Sequence, residues 1–438
     1  MTETGPPTTI TDDRVLRPGD DGYDAARQVW NAMVDHRPAM IVRCRETSDV
    51  AAAVRLARSE GLEIGVRCGG HSVVGHAVPD GGLMIDLTPM RGVRVAPRRR
   101  RAWVQGGALL GALDAATQPY GLATTAGNVS HTGVGGLTLG GGMGWLARKH
   151  GLTCDNLVSC ELVTADGDVV RASEDENPEL FWGLRGGGGN FGIVTEFELR
   201  LHETGTRALS VELDFAAGGA APAMARWRDL NATAPREATY AATVYDSVVT
   251  LGFVWIGDPA AGREHAQVLD ALGPPLDRRV VEMAYVDLQR REDTLEGHAL
   301  RRYWKGHYIR ELPDAAIEVL VAQDPTVAAS VQAYGGAIAE VPDDATAYSQ
   351  RDAAFEYVAA VRWTDPAEDE ERMAAARASA ARLVPYASGV YVNVLGDEGA
   401  EGVRRAYPPE KLARLTALKD AYDPGNVFHL NQNIPPSP

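Results

Sequence analysis

The stretch Leu62-Glu63-Ile64-Gly65-Val66-Arg67-Cys68-Gly69-Gly70-His71 joins a short apolar run to a pair of glycines and a histidine. The run over 62–66 has the length and composition of a buried strand, so the residues after it form the turn that leaves the strand. Two glycines let the backbone approach a ligand closely and point its N–H groups at one spot, which suits a phosphate-bearing ligand. The alternative is an ordinary glycine turn that ends in a solvated histidine, and the local sequence does not decide between the two.

Two denser glycine runs in the first half of the chain favour the ligand-binding interpretation. The first places seven glycines within twelve positions: Gly133, Gly135, Gly136, Gly140, Gly141, Gly142 and Gly144. Because each glycine in a helix or strand costs about 0.5–1 kcal/mol relative to alanine, we expect this run not to be ordinary helix or strand. The run also contains apolar residues, which a flexible linker would lack. Close passage of the main chain along a large flat ligand is predicted, and a second run over 186–192 precedes a predicted strand over 193–199.

Composition and charge exclude several classes of protein. The chain has 438 residues, of which 45% are hydrophobic and 23% charged, as in soluble globular proteins of two ordinary domains. The formal net charge of -16 argues against a nucleic-acid partner, because phosphates would be repelled. The N-terminal residues 1–7 show no signal-peptide pattern, and no apolar stretch approaches the roughly 18 residues that span a bilayer. We therefore expect a cytoplasmic protein with no membrane partner.

The cysteines and histidines show no metal-binding pattern. The four cysteines form no CxxC pair and are interpreted as reduced thiols: Cys44, Cys68, Cys154 and Cys160. The ten histidines have no ligand spacing either. No metal is expected.

The order of predicted elements divides the chain into two parts. Over about 37–202, short strands (82–87, 93–95 and 102–105) alternate with glycine turns and two helices (51–57 and 108–118), without the long βαβ crossovers of a Rossmann domain. After residue 205, strands over 209–215 and 239–255 alternate with alanine-rich helices over 220–231, 260–272 and 368–383. This second part predicts an antiparallel sheet covered by helices on one side. The final stretch has a helix ending near Tyr422 and could return to the first part.

Longer motifs then identify a family. They are Arg67-Cys68-Gly69-Gly70-His71, the glycine track over 133–144, Gly151-Leu152-Thr153-Cys154-Asp155-Asn156, Ala165-Asp166-Gly167, Phe181-Trp182-Gly183-Leu184-Arg185-Gly186-Gly187, Tyr391-Val392-Asn393 and Asn431-Gln432-Asn433-Ile434. With these, the chain resembles over nearly its whole length the covalent-flavin oxidoreductases of the berberine bridge enzyme group, within the vanillyl-alcohol-oxidase (PCMH-type FAD-binding) superfamily.

The resemblance implies an α+β fold in three parts. A two-subdomain PCMH-type FAD-binding domain is expected over 1–205, with its core at about 37–202. An antiparallel-sheet substrate domain covered by helices is expected over 206–407, and a C-terminal segment over 408–438 would return to the FAD domain.

The resemblance also implies how FAD is held. His71 occupies the position where the family attaches the 8α-methyl of FAD to an imidazole nitrogen. Many relatives make a second bond, from a cysteine to C6 of the flavin, at the position of Val129. Valine cannot form that bond, so a single covalent link is expected, and an oligosaccharide substrate becomes less favoured. The further residues implied to contact FAD are Arg67, Cys68, Gly69, Gly70, Ser72, Gly127, Val129, Gly133, Gly135, Gly136, Thr138, Gly140, Gly144, Val194, Asn393, Asn431 and Asn433.

The implied reaction is transfer of a hydride from a substrate C–H to flavin N5, aided by a base that removes an O–H or N–H proton. Tyr391 matches the family's active-site tyrosine, and it would need a strongly lowered pKa to act as a base. The alternative is a core tyrosine with a satisfied hydroxyl. Further polar candidates in the sheet domain, among which no spacing argument chooses, are Gln332, His307, Glu340 and Glu356.

The reaction with oxygen is predicted from one residue. Thr132 occupies the position that resembles the oxygen-access site of relatives, where a small polar side chain leaves room for O₂. The favoured interpretation is an oxidase of a small-molecule substrate that produces hydrogen peroxide. The alternatives are an oxygenase of the flavin-N5-oxide type and a non-catalytic flavin-binding protein. The composition, rich in alanine, glycine and arginine, associates the chain with bacterial secondary metabolism, while the substrate and the oligomeric state stay open.

Overall fold

The computed structural model describes residues 10–293 and 299–438. Residues 1–9, on which the expectation of no signal peptide depends, lie outside the described residues. The α-helices within these ranges are α1 (Tyr23–Arg27), α2 (Thr47–Glu60), α3 (Leu110–Thr117), α4 (Val134–Gly140), α5 (Ala147–His150), α6 (Pro178–Leu184), α7 (Ala221–Ala232), α8 (Pro259–His265), α9 (Tyr285–Arg290), α10 (Asp314–Val321), α11 (Ala337–Glu340), α12 (Asp369–Ala381), α13 (Gly399–Ala406) and α14 (Pro409–Tyr422).

The strands of the first half form two larger sheets and a small pair. They are β1 (Val15–Leu16), β2 (Met40–Arg43), β3 (Ile64–Arg67), β4 (Leu83–Asp86), β5 (Val93–Ala96), β6 (Arg101–Gln105), β7 (Leu122–Ala123), β8 (Leu157–Val163), β9 (Val169–Ser173), β10 (Ile193–Arg200) and β11 (His202–Glu203). One sheet has the order β1-β2-β4-β3, the other has the order β5-β6-β10-β8-β9, and β7 pairs with β11. Strand β4 lies parallel to both β2 and β3. Helix α2 connects β2 to β3 and ends at Gly61, whose φ of 65° is the left-handed conformation that glycine favours.

The strands of the second half form one antiparallel sheet. They are β12 (Arg207–Ala216), β13 (Ala238–Tyr245), β14 (Val248–Ile256), β15 (Asp277–Ala284), β16 (Arg301–Ile309), β17 (Ala328–Ala333) and β18 (Phe355–Trp363), in the order β15-β12-β14-β13-β17-β18-β16. Apolar residues of α7, α10 and α12 pack with alternate strand residues into one core on one face. This mixture of helix and sheet confirms the predicted α+β class, and the domain boundaries stay predictions.

The predicted strand over 239–255 was wrong as a single element. The structure forms a hairpin there, because Asp246 and Ser247 adopt φ angles of 47° and 64° between β13 and β14. A two-residue turn with positive φ at both positions matches the twist of paired strands. Asp-Ser lacks the glycine that usually marks such a turn, so the sequence signal was weak. The predicted helix over 260–272 is α-helical only as far as His265 and continues as a 3₁₀ helix to Leu272.

The expectation that the glycine track contains no ordinary helix was also wrong. Helix α4 lies inside the track, with Val134 and Leu139 buried in the core of the first half. A Cβ atom at Gly135 would lie 3.2 Å from the carbonyl oxygen of Gly106. Burial of the apolar side chains and close backbone packing therefore compensate for the low helix propensity of glycine.

Buried polar contacts join the two halves. Arg351 forms a two-pronged ion pair with Asp155, with N···O distances of 2.7 and 3.1 Å, and both side chains are almost completely buried. Arg148, in α5, donates hydrogen bonds to the carbonyls of Ala238 and Tyr334. These contacts join the segment that follows the glycine track to the second half of the chain.

Candidate functional site

A cavity of about 380 Å³ lies where the elements of the first half meet the C-terminal segment and the edge of the large sheet. This volume falls within the range of small-molecule and cofactor sites, about 300–1,000 Å³. The lining comes from the turn after β3, helix α4, the glycine run before β10, residues 392–395 and the segment 428–432. Trp304 of β16 completes it from the large sheet.

The floor of the cavity is built from two backbones in mutual contact. A Cβ atom on Gly69 would overlap the backbone nitrogen of Gly133, and a Cβ on Gly133 would overlap that of Gly69. Gly70 adopts a φ of 68°, which side chains rarely tolerate. The glycines quoted from the sequence thus bring the turn after β3 against the start of α4.

His71 projects from this turn, and its imidazole ring has polar contacts at its edge and an aromatic contact on its face. Its Nε2 lies 2.8 Å from Nδ1 of His131, and its Nδ1 lies 3.4 Å from the hydroxyl of Thr132. Trp30 stacks on the imidazole with ring centres 4.6 Å apart and planes 13° from parallel. Burial, followed by the proximity of His131 and Arg302, lowers the pKa of His71 to about 3. The ring is therefore neutral at physiological pH and keeps a nucleophilic nitrogen lone pair.

The cavity has an open stretch of backbone and unpaired polar atoms, both of which a bound dinucleotide needs. A Cβ placed on Gly136 or on Gly189 would meet no atom within 4 Å, although both residues line the cavity. Nε2 of His76 and Oδ1 of Asn431 are buried there and lack a hydrogen-bond partner among the described residues. The backbone along this side is open to a ligand that supplies acceptors and donors, so the residues present fit FAD.

The C-terminal segment reaches the cavity through buried polar contacts. Lys419 and Asp423, both fully buried, form an ion pair of 2.7 Å, and the Lys419 ammonium also donates to the carbonyls of Asn190 and Phe428. Asn431 donates through Nδ2 to the carbonyl of Gly189. Helix α14 thereby fixes residues 428–432 beside the glycine run that precedes β10.

The inner face of the large sheet carries a polar cluster. Glu356 is opposite Tyr308 of β16 and Gln332 of β17 in the strand register, and residues paired in this way share a face. Trp304, which lines the cavity, lies on the same face of β16. The Tyr334 hydroxyl donates to Oε2 of Glu356 at 2.9 Å. Burial raises the pKa of Glu356 to about 7, which is suited to proton exchange near neutral pH.

The cluster also contacts the loop before the glycine track. Asn128 donates through Nδ2 to Oε1 of Gln332 at 3.0 Å. The remaining amide atoms, Oδ1 of Asn128 and Nε2 of Gln332, are buried and have no hydrogen-bond partner within 10–293 and 299–438. A polar ligand group between the sheet and the loop could satisfy both.

Tyr391 is buried in the core and, like Glu356 and Gln332, is not among the residues that line the cavity. Its hydroxyl accepts hydrogen bonds of 2.8 Å from the Gly142 N–H and from Nδ2 of Asn393. Burial raises its pKa above the ordinary value, and the two donated hydrogen bonds only partly oppose that effect. The base role requires the opposite shift, so this geometry argues against it and favours the core alternative.

Two of the other candidate bases face away from the cavity. His307 is opposite Tyr357 on the helix-covered face, with Nε2 2.9 Å from the carbonyl oxygen of Ala380. Glu340 is exposed and forms an ion pair with Arg236. Of the four further candidates, Glu356 and Gln332 are the pair that the structure brings together.

The structure separates the predicted FAD contacts, taken together with Thr132 of the predicted oxygen-access site, into two groups. The first group lines the cavity: Cys68, Gly69, Gly70, His71, Ser72, Thr132, Gly133, Gly135, Gly136, Val194, Asn393 and Asn431. The second group does not: Arg67, Gly127, Val129, Thr138, Gly140, Gly144 and Asn433.

Members of the second group have visible structural roles. Arg67 donates to the carbonyl of Ala26. A Cβ on Gly140 would overlap the Asn393 amide, and one on Gly144 would overlap the carbonyl oxygen of Ala126. Close packing of the protein against itself explains these glycines.

Sequence reasoning missed several cavity residues from distant parts of the chain. The unpredicted polar and aromatic ones include His76, Phe197, Trp304, Phe428 and Gln432. Gln432 lies inside a quoted motif and could have been found there, and His76 follows the quoted stretch that ends at His71. Trp304 had no such signal, because it lies on an ordinary strand that pairing brings to the cavity.

The described parts of the chain contain neither a metal-binding cluster nor a membrane-spanning helix. No group of three or more His, Cys, Asp or Glu residues there is placed to hold a metal ion. None of the helices there combines the length and the apolar character needed to cross a bilayer.

Comparison with known families matches two segments of the chain. The model described as "FAD binding domain" matches residues 38–173, and the model described as "Berberine and berberine like" matches residues 390–435. The first segment contains the turn after β3 and the glycine track, and the second contains Tyr391, Asn393 and the C-terminal asparagines.

Full-length relatives agree with both matches. The chain is 33% identical to (R)-6-hydroxynicotine oxidase from Paenarthrobacter nicotinovorans, over 96% of each chain. The crystal structure of 6-hydroxy-D-nicotine oxidase from Arthrobacter nicotinovorans superposes with a TM-score of 0.87 at 30% identity, covering 98% of this chain and 99% of that one. Glucooligosaccharide oxidase from Acremonium strictum, described with a 6-S-cysteinyl, 8α-N1-histidyl FAD, superposes with a TM-score of 0.88 at 26% identity, over 97% of each chain. These folds confirm the expected PCMH-type architecture.

Proposed function

The chain belongs to the berberine bridge enzyme-like family of FAD-linked oxidoreductases, and from this premise we propose that it is an oxidase whose FAD is attached through His71 alone. It takes a hydride from an alcohol or amine C–H of a small molecule or natural-product intermediate, and oxygen reoxidises the flavin to give hydrogen peroxide. When bound, FAD supplies the hydride acceptor at N5. The chain's own residues bind the dinucleotide, orient the substrate and remove a proton.

The environment of His71 is the observation that carries the proposal. The ring is neutral, lines the cavity and has Nδ1 free of any short hydrogen bond, since the Thr132 hydroxyl is 3.4 Å away. A neutral imidazole with an available lone pair is the form that can bond to the flavin 8α carbon. A second link at Val129 would need a thiolate, which a valine side chain does not have.

Glu356 is the residue best placed to accept the substrate proton. A carboxyl with a pKa of about 7 is substantially ionised at neutral pH, and its site on the inner face adjoins Gln332 and Tyr334. Such a group matches the requirement for a general base near the working pH. Gln332 and Asn128, with their unpaired amide atoms, would orient the alcohol or amine beside it.

Thr132 supports the part of the proposal in which oxygen reoxidises the flavin. Its side chain lines the cavity next to His71, where its small volume leaves space for O₂. An oxygenase would use the same access, so the products distinguish the two reactions.

A three-part experiment tests the function with the purified protein. First, acid precipitation is expected to leave the yellow flavin in the pellet of the wild type and in the supernatant of His71→Ala. Second, an anaerobic panel of alcohols, amines and sugars is expected to contain a compound that bleaches the flavin absorbance. Third, readmitted oxygen is expected to give one hydrogen peroxide per product. A colourless wild-type pellet contradicts the covalent link, and incorporation of labelled oxygen into the product contradicts the oxidase.

A further inference from the structure

His71 is held by two side chains that the function above does not use. His131 lies at its edge, with Nδ1 2.8 Å from Nε2 of His71. The indole of Trp30 stacks on the face of the imidazole. The guanidinium of Arg302, from β16, lies 4.1 Å from the centre of that indole. The imidazole thus has a fixed plane and a fixed hydrogen-bond partner.

The arrangement decides which ring nitrogen can react. In a neutral imidazole one nitrogen carries a hydrogen and the other carries a lone pair. The hydrogen-bond partner of one nitrogen therefore determines whether the other nitrogen is protonated. Assigning Nε2 of His71 as the donor in its 2.8 Å contact with Nδ1 of His131 places the lone pair of His71 on Nδ1. The Thr132 hydroxyl near Nδ1 is too distant to block that lone pair, because strong O–H···N hydrogen bonds are shorter than 3.4 Å.

We propose that His131 is the positioning residue for flavin attachment: it accepts the Nε2 proton of His71 and so makes Nδ1 the nucleophile. This inference rests on the proposed attachment through His71. In the step, His71 Nδ1 forms a bond to the 8α carbon of FAD, that carbon loses one proton, and the Nε2 proton passes to His131. The two electrons left in the flavin are removed by molecular oxygen, which takes up two protons and becomes hydrogen peroxide.

The surroundings of His131 are suited to a transient proton. Asp293 accepts hydrogen bonds from the backbone N–H of Ser130 at 2.8 Å and from its hydroxyl at 2.7 Å, which places a carboxylate beside His131. Burial lowers the pKa of His131, the Asp293 charge opposes that effect, and Arg302 adds to it. Nε2 of His131 is buried and has no hydrogen-bond partner within the described residues, so an accepted proton is held on the imidazole, where the Asp293 charge favours it.

The test measures covalent attachment and needs no substrate. Each full-length variant is purified from cells grown on limiting riboflavin and supplied with FAD in air, and acid-stable flavin per polypeptide is followed against time. His131→Phe keeps a ring but has no acceptor, and its attachment rate is expected to fall about 100-fold or more, as for loss of a general base. His131→Asn keeps an oxygen that can accept the Nε2 hydrogen bond but cannot take the proton, so its attachment rate is expected to lie between those of the wild type and His131→Phe.

Controls separate this inference from the proposed function. His265→Asn changes a partly buried histidine on α8, outside the cavity, and is expected to attach FAD at the wild-type rate. His131→Ala supplies a second variant if the phenylalanine does not fold, and added imidazole is expected to restore its rate. Wild-type rates in His131→Phe or His131→Ala overturn the role of His131. An asparagine variant as slow as the phenylalanine one overturns the claim that the accepted hydrogen bond positions His71. Acid-stable flavin in His71→Ala overturns the attachment site itself.

Discussion

Individual side chains near the cavity have protonation states that their residue types would not have in water. Burial lowers the pKa of His71 to about 3 and raises that of Glu356 to about 7. Burial also raises the pKa of Tyr391 above its ordinary value. At neutral pH the site therefore holds a neutral imidazole, a carboxyl near its midpoint and a protonated phenol. Two predictions at the scale of single residues follow from these states.

The first concerns Glu356→Gln. If the carboxylate removes the substrate proton, the rate of anaerobic flavin reduction should fall about 100-fold or more in the variant. In the wild type that rate should rise with pH through about 7, because only the ionised form accepts a proton. The matched control is Glu340→Gln, an exposed carboxyl paired with Arg236. Stopped-flow absorbance of the flavin measures both variants, and equal rates would exclude Glu356 as the base.

The second concerns Tyr391→Phe. Loss of the hydroxyl leaves the buried Gly142 N–H without its acceptor, which should cost about 1–3 kcal/mol of unfolding free energy. Flavin reduction should stay close to the wild-type rate, since the phenol is protonated and its oxygen accepts hydrogen bonds from Gly142 and Asn393. Denaturant unfolding measures the first quantity and stopped-flow absorbance the second. A large loss of rate without a loss of stability would restore the catalytic role.

At the scale of elements, helix α4 shows that glycines in one track serve different purposes. Gly136 presents open space toward the cavity, while Gly144, after the helix, allows the carbonyl of Ala126 to approach. In the proposed FAD site the first would keep space for the ligand, while the second is required by the fold. Their alanine variants should therefore fail in different ways.

Gly144→Ala should lower stability by about 3 kcal/mol or more, because the new Cβ overlaps backbone that cannot move aside. Gly136→Ala should keep or slightly raise stability, since alanine favours a helix by about 1 kcal/mol over glycine, while its flavin content should fall. Gly218→Ala, where a Cβ meets nothing and no cavity is near, is the control for both. Thermal unfolding and flavin absorbance per polypeptide measure the effects. Full flavin content in Gly136→Ala would contradict the assignment of this backbone to FAD.

At the scale of the whole molecule, buried groups make the stability depend on pH. His150 and His202 stack with ring centres 3.9 Å apart, at the junction of α5 with β11. Burial lowers the pKa of His150 to about 3 and that of His202 to about 4, from an ordinary value of 6.5. At pH values between about 4 and 6.5 the unfolded chain therefore binds more protons than the folded chain. Stability contributed by the neutral pair is complete above about 6.5 and is lost as the pH falls toward 4.

Replacement of one ring tests this dependence. His150→Phe keeps the stacked aromatic ring and removes one titrating group, so its melting temperature should fall less between pH 7 and pH 5 than that of the wild type. The expected difference at pH 5 is about 1 kcal/mol, allowing for the partial exposure of the rings. Calorimetry at both pH values measures it. Parallel pH profiles in the two proteins would show that this histidine does not couple folding to protons.

The sequence by itself determined the α+β class, the family and the place of His71. Local patterns suffice for these, because strand periodicity, glycine turns and ordered motifs depend on neighbours along the chain. The sequence did not distinguish glycines that border the cavity, such as Gly136, from glycines that pack against the protein's own backbone, such as Gly144. It also treated Tyr391 as a candidate base, because burial and hydrogen-bond partners are not local properties.

Only the tertiary structure decided which of the polar candidates meet. Glu356 and Gln332 became neighbours through the pairing of β17 with β18, and His307 was turned to the opposite face by strand alternation. His131 and Trp30 reached His71 from positions 60 residues after it and 41 before it. The physical reason is that charge state and reactivity depend on what surrounds a group in space, and packing of distant segments sets those surroundings.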